Sequence, residues 1–414
     1  MRIVRWLARL ANRIAYTCYV AAVCLRQQPS VLAERRPRFL ADETIEPAHG
    51  DVYALAVKYP LFGLDDGFLD LLDALKRQNV NTVVVFNGRP TDHQLAAVRP
   101  RTHRILIRPN RGRDFGAYRA GTLRLLGEGL EPSRLLYFND SIIYLPGAPL
   151  DQMVGALRTS SYDMVGTFEN HERNHHIGSF AFSISGRVFA DARVKAFWRR
   201  YKTYDLRPHA INKGEIRLSA LLKQRGYPID VIYSSDRMAL RLGEYSFSDL
   251  VSLLRYIPSV SRAPRPAAFL QPSLETAAVL RSSRSLQVST GVGRTVSAIS
   301  EFRGGQAQPG GRNDWNWRRD ELMARDALID QLLQTFMSSS QVHFGFGLFH
   351  RVLQCPLVKK DLLSRGVLLD YELVRALEDL PPPALHRIVR QVMNRGRPVN
   401  LAGLRRFKLA NGLI

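Results

Sequence analysis

The stretch RILIRPNRGRDFGAY, Arg104 to Tyr118, runs from a strand through a loop into the start of a helix. Arg104–Arg108 is a short apolar run of the kind that forms a buried strand. Pro109 ends it, and the glycines and polar residues that follow are loop formers. From Asp114 to Leu126 the pattern is helical, with Asp114 a candidate cap. The same unit recurs on both sides. Upstream, Asp51–Lys58 reads as a strand, Phe68–Gln78 as a helix with Leu69, Leu71, Leu72 and Leu75 on its apolar face, and Asn81–Phe86 as a strand. Asp92–Val98 reads as a short helix capped by Asp92. Downstream, Leu135–Phe138 is the next strand, and a helix follows at Pro149–Leu157. Strands alternating with helices predict an α/β fold, a Rossmann-like, mainly parallel sheet flanked by helices. DMVGTF and GSFAFSISGRVF add later strands, Val194–Tyr201 and Glu215–Arg225 add helices, and Ile229–Ser234 is a last strand.

Composition divides the chain further. Residues 258–312 are rich in Pro, Gly and Ser and read as a linker. Residues 313–414 read as a helical C-terminal region, and residues 49–257 as the α/β domain. Residues 1–48 form a basic amphipathic N-terminal segment, in which Arg2, Arg5, Arg9 and Arg13 share one helical face. Ile3, Leu7, Leu10, Ala11, Ile14 and Cys18 share the opposite face. Such a helix suits an anionic membrane surface, or packs its stripe on its own domain. The uncharged run Ile14–Leu25 is too short to span a bilayer. As the core of an export signal it lacks a small-residue cleavage site.

The 59 Lys+Arg against 37 Asp+Glu leave a net charge of +22 and point to anionic partners. Nucleic acid is disfavoured, because no zinc-knuckle spacing or RNP-like aromatic motif is present. Three cysteines, Cys18, Cys24 and Cys355, make no disulfide framework and suit a reducing compartment.

Two strand ends carry the candidate chemistry. After Arg108 come Asn110, Arg111, Arg113 and Asp114 at a helix start, where backbone N–H groups and arginines make an anion site. The plainer reading is a capped helix with solvated arginines. After Phe138 come Asn139, Asp140 and Ser141, either a turn or a ligand site at the carboxyl end of a strand. A carboxylate there can hold Mg²⁺ or Mn²⁺ against a diphosphate. Together, one end offering arginines and one an acid, they read as a nucleotide-diphosphate cleft. HERNH, His171 to His175, matches the zinc-hydrolase pattern HExxH, which would use His171, Glu172 and His175. Its context is a polar loop, and Ala181 stands where an extended motif has its third ligand. That loop offers His175 and His176 to an acceptor. Glu215 lies at a predicted helix start, favourable there with the helix dipole or placed to act as a general base. His343, a lone histidine among aromatics, reads as a core residue.

NRGRDFGAY (Asn110–Tyr118), YFNDSIIYLP (Tyr137–Pro146), HIGSFAFSISGRVF (His176–Phe189) and GEIRLSALLKQRGY (Gly214–Tyr227) occur in an order that resembles the rhamnan synthesis protein F family of bacterial polysaccharide glycosyltransferases. VHFGFGLFHRVLQCPLVKKDLL (Val342–Leu363) is a weaker echo. The resemblance implies a GT-A-type nucleotide-sugar transferase moving rhamnose or another deoxysugar to a cell-surface polysaccharide or lipid-linked glycan. It implies Asp140 as metal and diphosphate ligand, Asp114 as an early nucleotide-site residue and Glu215 as base. Asp140 is flanked by Asn139 and Ser141 rather than by a second acid, so Arg111 and Arg113 are the alternative charge for the diphosphate. The expectation is a cytoplasmic enzyme, peripheral at the inner face of the plasma membrane, with a divalent cation as cofactor. The competing expectation is a non-catalytic scaffold on a degenerate transferase fold.

Overall fold

The computed structural model describes residues 2–171, 174–258, 313–338, 340–394, 396 and 403–413. The expected linker therefore lies, but for Pro258, outside the described residues. The chain forms two compact units. One holds residues 1–169, 174–232 and 399–414; the other holds 170–173 and 233–398.

The first unit is built on eleven strands: β1 (Ala41–Thr44), β2 (Val52–Lys58), β3 (Asn81–Asn87), β4 (Arg104–Arg108), β5 (Arg134–Asn139), β6 (Ile142–Tyr144), β7 (Met164–Gly166), β8 (Glu169–Asn170), β9 (His176–Ile177), β10 (Ala181–Ser185) and β11 (Ile229–Val231). Eight of them make one sheet in the order β1-β4-β3-β2-β5-β10-β7-β11. β4, β3, β2 and β5 are mutually parallel. β11 is parallel to β7, β10 runs antiparallel between β5 and β7, and β1 is an antiparallel edge. The sheet is thus mainly parallel and flanked by helices. Between β2 and β5 the strand order reverses, and ligands of open α/β sheets bind outside the carboxyl ends at such a point.

The strands read as continuous apolar runs because both faces are covered. On one face Tyr53, Leu55, Val57, Val83, Val85, Tyr137 and Phe182 join a core with Phe115, Tyr118 and Trp198. Tyr137 stacks on Phe182 at 4.5 Å between ring centroids and on Trp198 at 5.7 Å. The alternate residues Ala54, Ala56, Val84, Phe86 and Phe138 are buried on the other face. There the sheet meets α2 (Asp66–Arg77), with Phe68, Leu71, Leu72 and Leu75 buried, and α5 (Ala148–Thr159).

The long N-terminal helix α1 spans Arg2–Ala33. Its self-packing stripe is not the one the sequence singles out. Tyr16, Tyr19, Val20, Val23, Cys24, Gln27, Gln28, Ser30 and Val31 are the described half-buried or buried positions. Tyr19 meets Phe407 at 6.1 Å, and Asn12 donates to Asn411 at 3.0 Å. The described members of the expected apolar face, Leu7, Leu10, Ala11, Ile14 and Cys18, are all exposed. Among the described residues no helix is long and apolar enough to cross a membrane.

Several local readings are corrected. The short helix α3 (Asp92–Val98) is capped by Thr91, not Asp92, in a capping box with Gln94. GSFAFSISGRVF is one strand followed by helix α6 (Gly186–Ala190), because Ser185 accepts from the Val188 N–H and caps it. Glu215 is not at a helix start. Helical backbone begins at Arg207, widens into a π-turn at Ala210–Glu215 and continues as Ile216–Gln224. Edge strand β1 carries no apolar pattern, being exposed throughout, and the sequence reading missed it.

The second unit is helical, as expected of the C-terminal region. Ser235–Leu242, Phe247–Leu253, Asn313–Ser338, Phe346–Leu353, Asp370–Ala376 and Pro382–Met393 bury Leu242, Leu250, Leu328, Leu332, Phe349 and Leu373. His343 is structural there. Its Nδ1 shares a hydrogen with Ser340 Oγ at 2.8 Å, and its Nε2 lies 3.0 Å from Asp361.

Candidate active site

The site is assembled from the strand ends at the carboxyl rim of the sheet. Lys58 ends β2, Asn87 ends β3, Arg108 ends β4 and Asn139 ends β5. β10 runs the other way, so the residues before its first position, Ser179 and Phe180, reach the same rim. Each of these polar rim residues is buried and must therefore find partners.

Asn139 is the hub. Its Nδ2 donates to Asp114 Oδ2 at 3.0 Å, and its Oδ1 accepts from the backbone N–H and hydroxyl of Ser141 at 3.1 and 2.6 Å. That Asx turn ends the strand and turns the chain into β6. Asp114 is the second residue of α4 (Arg113–Gly127) and does not cap it. The cap position is Gly112, with φ 72° and no side-chain bond to the helix. Any Cβ there would lie 2.7 Å from Thr203, so only glycine fits. Arg113 also has a left-handed φ of 53°, uncommon for a residue with a side chain. Asn87 Nδ2 holds its carbonyl at 3.2 Å. Asn110 and Arg113 are exposed at the loop tip and Arg111 is half-buried.

Asp140 sits beside this hub in a buried ion pair. Its Oδ2 accepts from the Tyr59 N–H at 3.0 Å and lies 3.3 Å from Lys58 Nζ. Lys58 is closer still to Asp65, at 2.8 Å, and Asp65 caps α2 through the Phe68 N–H. Burial pushes the lysine towards its neutral form, but Asp140 and Asp65 outweigh this and raise its pKa. It is thus a fixed positive charge at the switch point.

On the other flank Glu215 Oε1 accepts from the N–H of Ser179 at 3.3 Å and from its hydroxyl, and Oε2 lies 3.6 Å from His176 Nε2. Tyr118 braces this flank. Its hydroxyl donates to the Ser179 carbonyl at 2.8 Å. Burial holds it well above the usual tyrosine pKa, and Asp114, Tyr144 and Glu215 add to the effect. Gly214 permits this approach, since a Cβ there would lie 2.8 Å from the Phe115 ring of α4. Two bonded groups thus line the rim, Asp114–Asn139–Ser141 and Tyr118–Ser179–Glu215 with His176 3.6 Å beyond, and they meet where the Asn139 N–H donates to the Phe180 carbonyl at 3.1 Å; Asp140 and Lys58 lie beside them. π-turns recur at functional sites, and this one places Glu215.

His175 is differently engaged. Its Nε2 lies 2.8 Å from Glu169, and its Nδ1 meets the Lys223 ammonium. Glu172 lies outside the described residues. Arg108 anchors the loop from below, donating to Asn87 at 2.6 Å, to the Arg111 carbonyl at 2.9 Å and to buried Glu34 at 3.1 Å. Sequence reading missed Lys58, Tyr118 and Arg108 as members of the site. The available signal was that Lys58 and Arg108 each close a buried strand.

No protein-family model matches the chain. An uncharacterized protein, y4gN of Sinorhizobium fredii (strain NBRC 101917 / NGR234), is 29% identical over 195 residues, which cover 46% of this chain and 50% of that protein. The chain thus spans about half the length of the curated relative it matches. Among solved structures, a mannosyltransferase from Pyrobaculum calidifontis in complex with GDP-Man and Mn²⁺ aligns over 80% of this chain and 99% of its own, at TM-score 0.30 and 11% identity. Glucosyl-3-phosphoglycerate synthase from Mycobacterium tuberculosis aligns over 34% of this chain and 58% of its own, at TM-score 0.26 and 12% identity. The glycosyltransferase GlyE of Streptococcus pneumoniae TIGR4 aligns over 71% and 67%, at TM-score 0.28 and 10% identity. At such scores these likenesses add nothing to the topology read from the strands themselves.

Proposed function

We propose that this chain is a GT-A-type glycosyltransferase, moving a sugar from a nucleotide diphosphate to a surface glycan or lipid-linked acceptor. The observation that carries the reading is the bonded rim at the β2/β5 switch point. It brings Asp114, bonded to Asn139, and Asp140, paired with Lys58, to one flank and a single carboxylate, Glu215, to the other. The four motifs that resemble the rhamnan synthesis family supply nearly all of these residues, and that resemblance favours rhamnose or another deoxysugar.

In the proposed inverting reaction Glu215 takes the proton of the acceptor hydroxyl. The freed oxygen attacks the anomeric carbon, and the bond to the diphosphate breaks with its electron pair leaving on the diphosphate. Ser179 orients Glu215 through two hydrogen bonds, leaving Oε2 near His176 on the acceptor side. His175 lines the same loop. Asn110, Arg111 and Arg113 lie at the start of α4, where arginines and helix N–H groups favour a diphosphate. Asp140 and its sequence neighbours Asn139 and Ser141 carry oxygen atoms of the kind Mg²⁺ or Mn²⁺ takes, although the Asp140 Oδ2 is engaged by the Tyr59 N–H and the Lys58 ammonium. Asp140 would hold that ion, which supplies charge against the leaving diphosphate. Lys58 fixes the carboxylate and adds its own charge.

The exposed apolar face of α1, opposite Arg9 and Arg13, supports peripheral binding at the anionic inner face of the plasma membrane.

The test is a panel of nucleotide sugars with Mn²⁺, read by thermal stabilisation and by release of nucleoside diphosphate. One donor should stabilise the protein and be turned over, and Glu215→Gln should bind it without turnover. A panel in which no nucleotide sugar binds refutes the reading.

A further inference from the structure

A cavity of about 880 Å³ lies behind the π-turn, away from the rim bonds. Helix α7 (Ala192–Arg200) contributes Arg193 and Arg200 to it, the following loop Lys202, and the π-turn and its continuation Lys213 and Arg217. The spacing explains the convergence. Arg193 and Arg200 are seven apart, and Lys213 and Arg217 four apart, so each pair shares a helix face. No carboxylate lines the cavity. Among the described residues none of these five cations pairs with a carboxylate. Like charges gathered without counter-charge repel, and an anion in their midst relieves the repulsion.

The walls are of another kind. Phe197, Tyr201, Tyr204 and Leu221 line the cavity, and the first three are at least nine-tenths buried. The cavity edge is also tied to α1. Tyr204 donates to Gln28, and the N–H of Asp205 donates to Gln27 at 2.8 Å. Trp6, Leu10, Ile14 and Leu25 of that helix are exposed, at 61%, 40%, 56% and 76%.

We infer that this cavity binds the phosphate or diphosphate head of an amphiphile, with the cations on the head and the aromatic wall on the first part of its apolar tail. Arg and Lys recognise phosphate oxygens by charge-assisted hydrogen bonds, and the apolar wall has no use for a bare ion. A free phosphate and a phospholipid carry the same head, so the tail distinguishes the sources. Lys213 and Arg217 stand two residues either side of Glu215. On the transferase reading, therefore, the ligand is the lipid-phosphate carrier of the acceptor. The binding itself does not depend on that reading.

The experiment is calorimetry on the full chain, without any nucleotide sugar, using farnesyl diphosphate, inorganic pyrophosphate and farnesol. Farnesyl diphosphate should bind at least about tenfold more tightly than either of the others. Each lost charged contact typically weakens binding about tenfold, so the Lys213→Ala/Arg217→Ala double variant should bind it about 100-fold more weakly. Both side chains are exposed, so their loss leaves the fold intact, as circular dichroism would verify. Arg200→Glu provides a second, independent variant and should also weaken binding. Equal affinity for pyrophosphate and farnesyl diphosphate overturns the inference, as does binding unaffected by either variant or no binding at all. Because no sugar is transferred, absence of transferase activity leaves this result standing, and the reverse.

Discussion

Replacing Asp140 by Asn separates a working carboxylate from a structural one. The substitution removes one negative charge 3.3 Å from Lys58 Nζ and keeps an oxygen for the Tyr59 N–H. At an effective dielectric of about 20 that charge pair is worth roughly 5 kcal/mol before desolvation is subtracted. Deleting one partner of a buried pair costs about 3–5 kcal/mol when the other is left alone. Lys58 is not left alone, because Asp65 remains at 2.8 Å. The net loss should therefore be about 1–3 kcal/mol, a melting-temperature drop of about 2–4 °C per kcal/mol for a unit of this size. Asp65→Asn is the matched comparison. It strips the nearer charge from the same lysine, and Asn keeps the cap on α2. Both variants should fold and lose similar stability. If Asp140 serves the diphosphate and its cation, Asp140→Asn alone should also lose about 10²-fold or more in turnover and lose its Mn²⁺ dependence. The assays are thermal unfolding and nucleoside diphosphate release at saturating donor. Equal turnover by the two variants would refute the reasoning and leave Asp140 as half of a structural ion pair.

Glu215→Gln should keep fold and donor binding, lose about 10²–10⁴-fold in turnover and abolish the acidic limb of the pH–rate profile. Gly112→Ala should destabilise the unit by about 1–3 kcal/mol, because the left-handed backbone and the 2.7 Å approach to Thr203 both oppose a Cβ; denaturant unfolding measures it. Leu10→Glu with Ile14→Glu should reduce sedimentation with anionic liposomes while leaving the melting temperature unchanged, since both residues are exposed. The sheet unit should lose stability as the pH falls below about 4. Burial raises the pKa values of Asp42 and Asp163, but Arg104 and Arg124 beside the first and Arg187 beside the second bring both below the ordinary 3.8. Their contribution is complete above that value and is lost as the pH falls through the depressed ones, which a pH series of melting temperatures would register.

The parallel core was legible because buried strands and amphipathic helices leave different periods in the sequence. β2, β3, β4 and β5 stand where the apolar runs put them. β1 was not legible, since its pairing with β4 rests on backbone bonds and the Asp42–Arg104 ion pair and leaves no apolar period in the sequence. The acids of the site were readable as strand-end residues. Lys58 was not singled out, because a lysine after six other strand residues reads as a solvated end until Asp65 and Asp140 converge on it. Glu215 was flagged for a helix start it does not occupy. A π-turn has no composition of its own, and here it depends on how closely Gly214 meets Phe115. The basic cavity escaped notice for the same reason. Its cations lie on separate elements, and only packing gathers them.

Glu34, one residue beyond the end of α1, is 3% exposed and accepts from Arg108, whose guanidinium also grips the β3 end and the loop before α4. The Glu34 carbonyl is held by Arg119 as well, at 3.0 Å. A helix of 32 residues is about 48 Å long, and the residue that follows it is keyed through Arg108 into the loop before α4. The helix is therefore a strut with one end set in the carboxyl rim of the sheet. Whatever surface takes hold of the N-terminal part of that helix also fixes the height and tilt at which the rim is presented, so the distance from that surface to the rim is a dimension built into the chain.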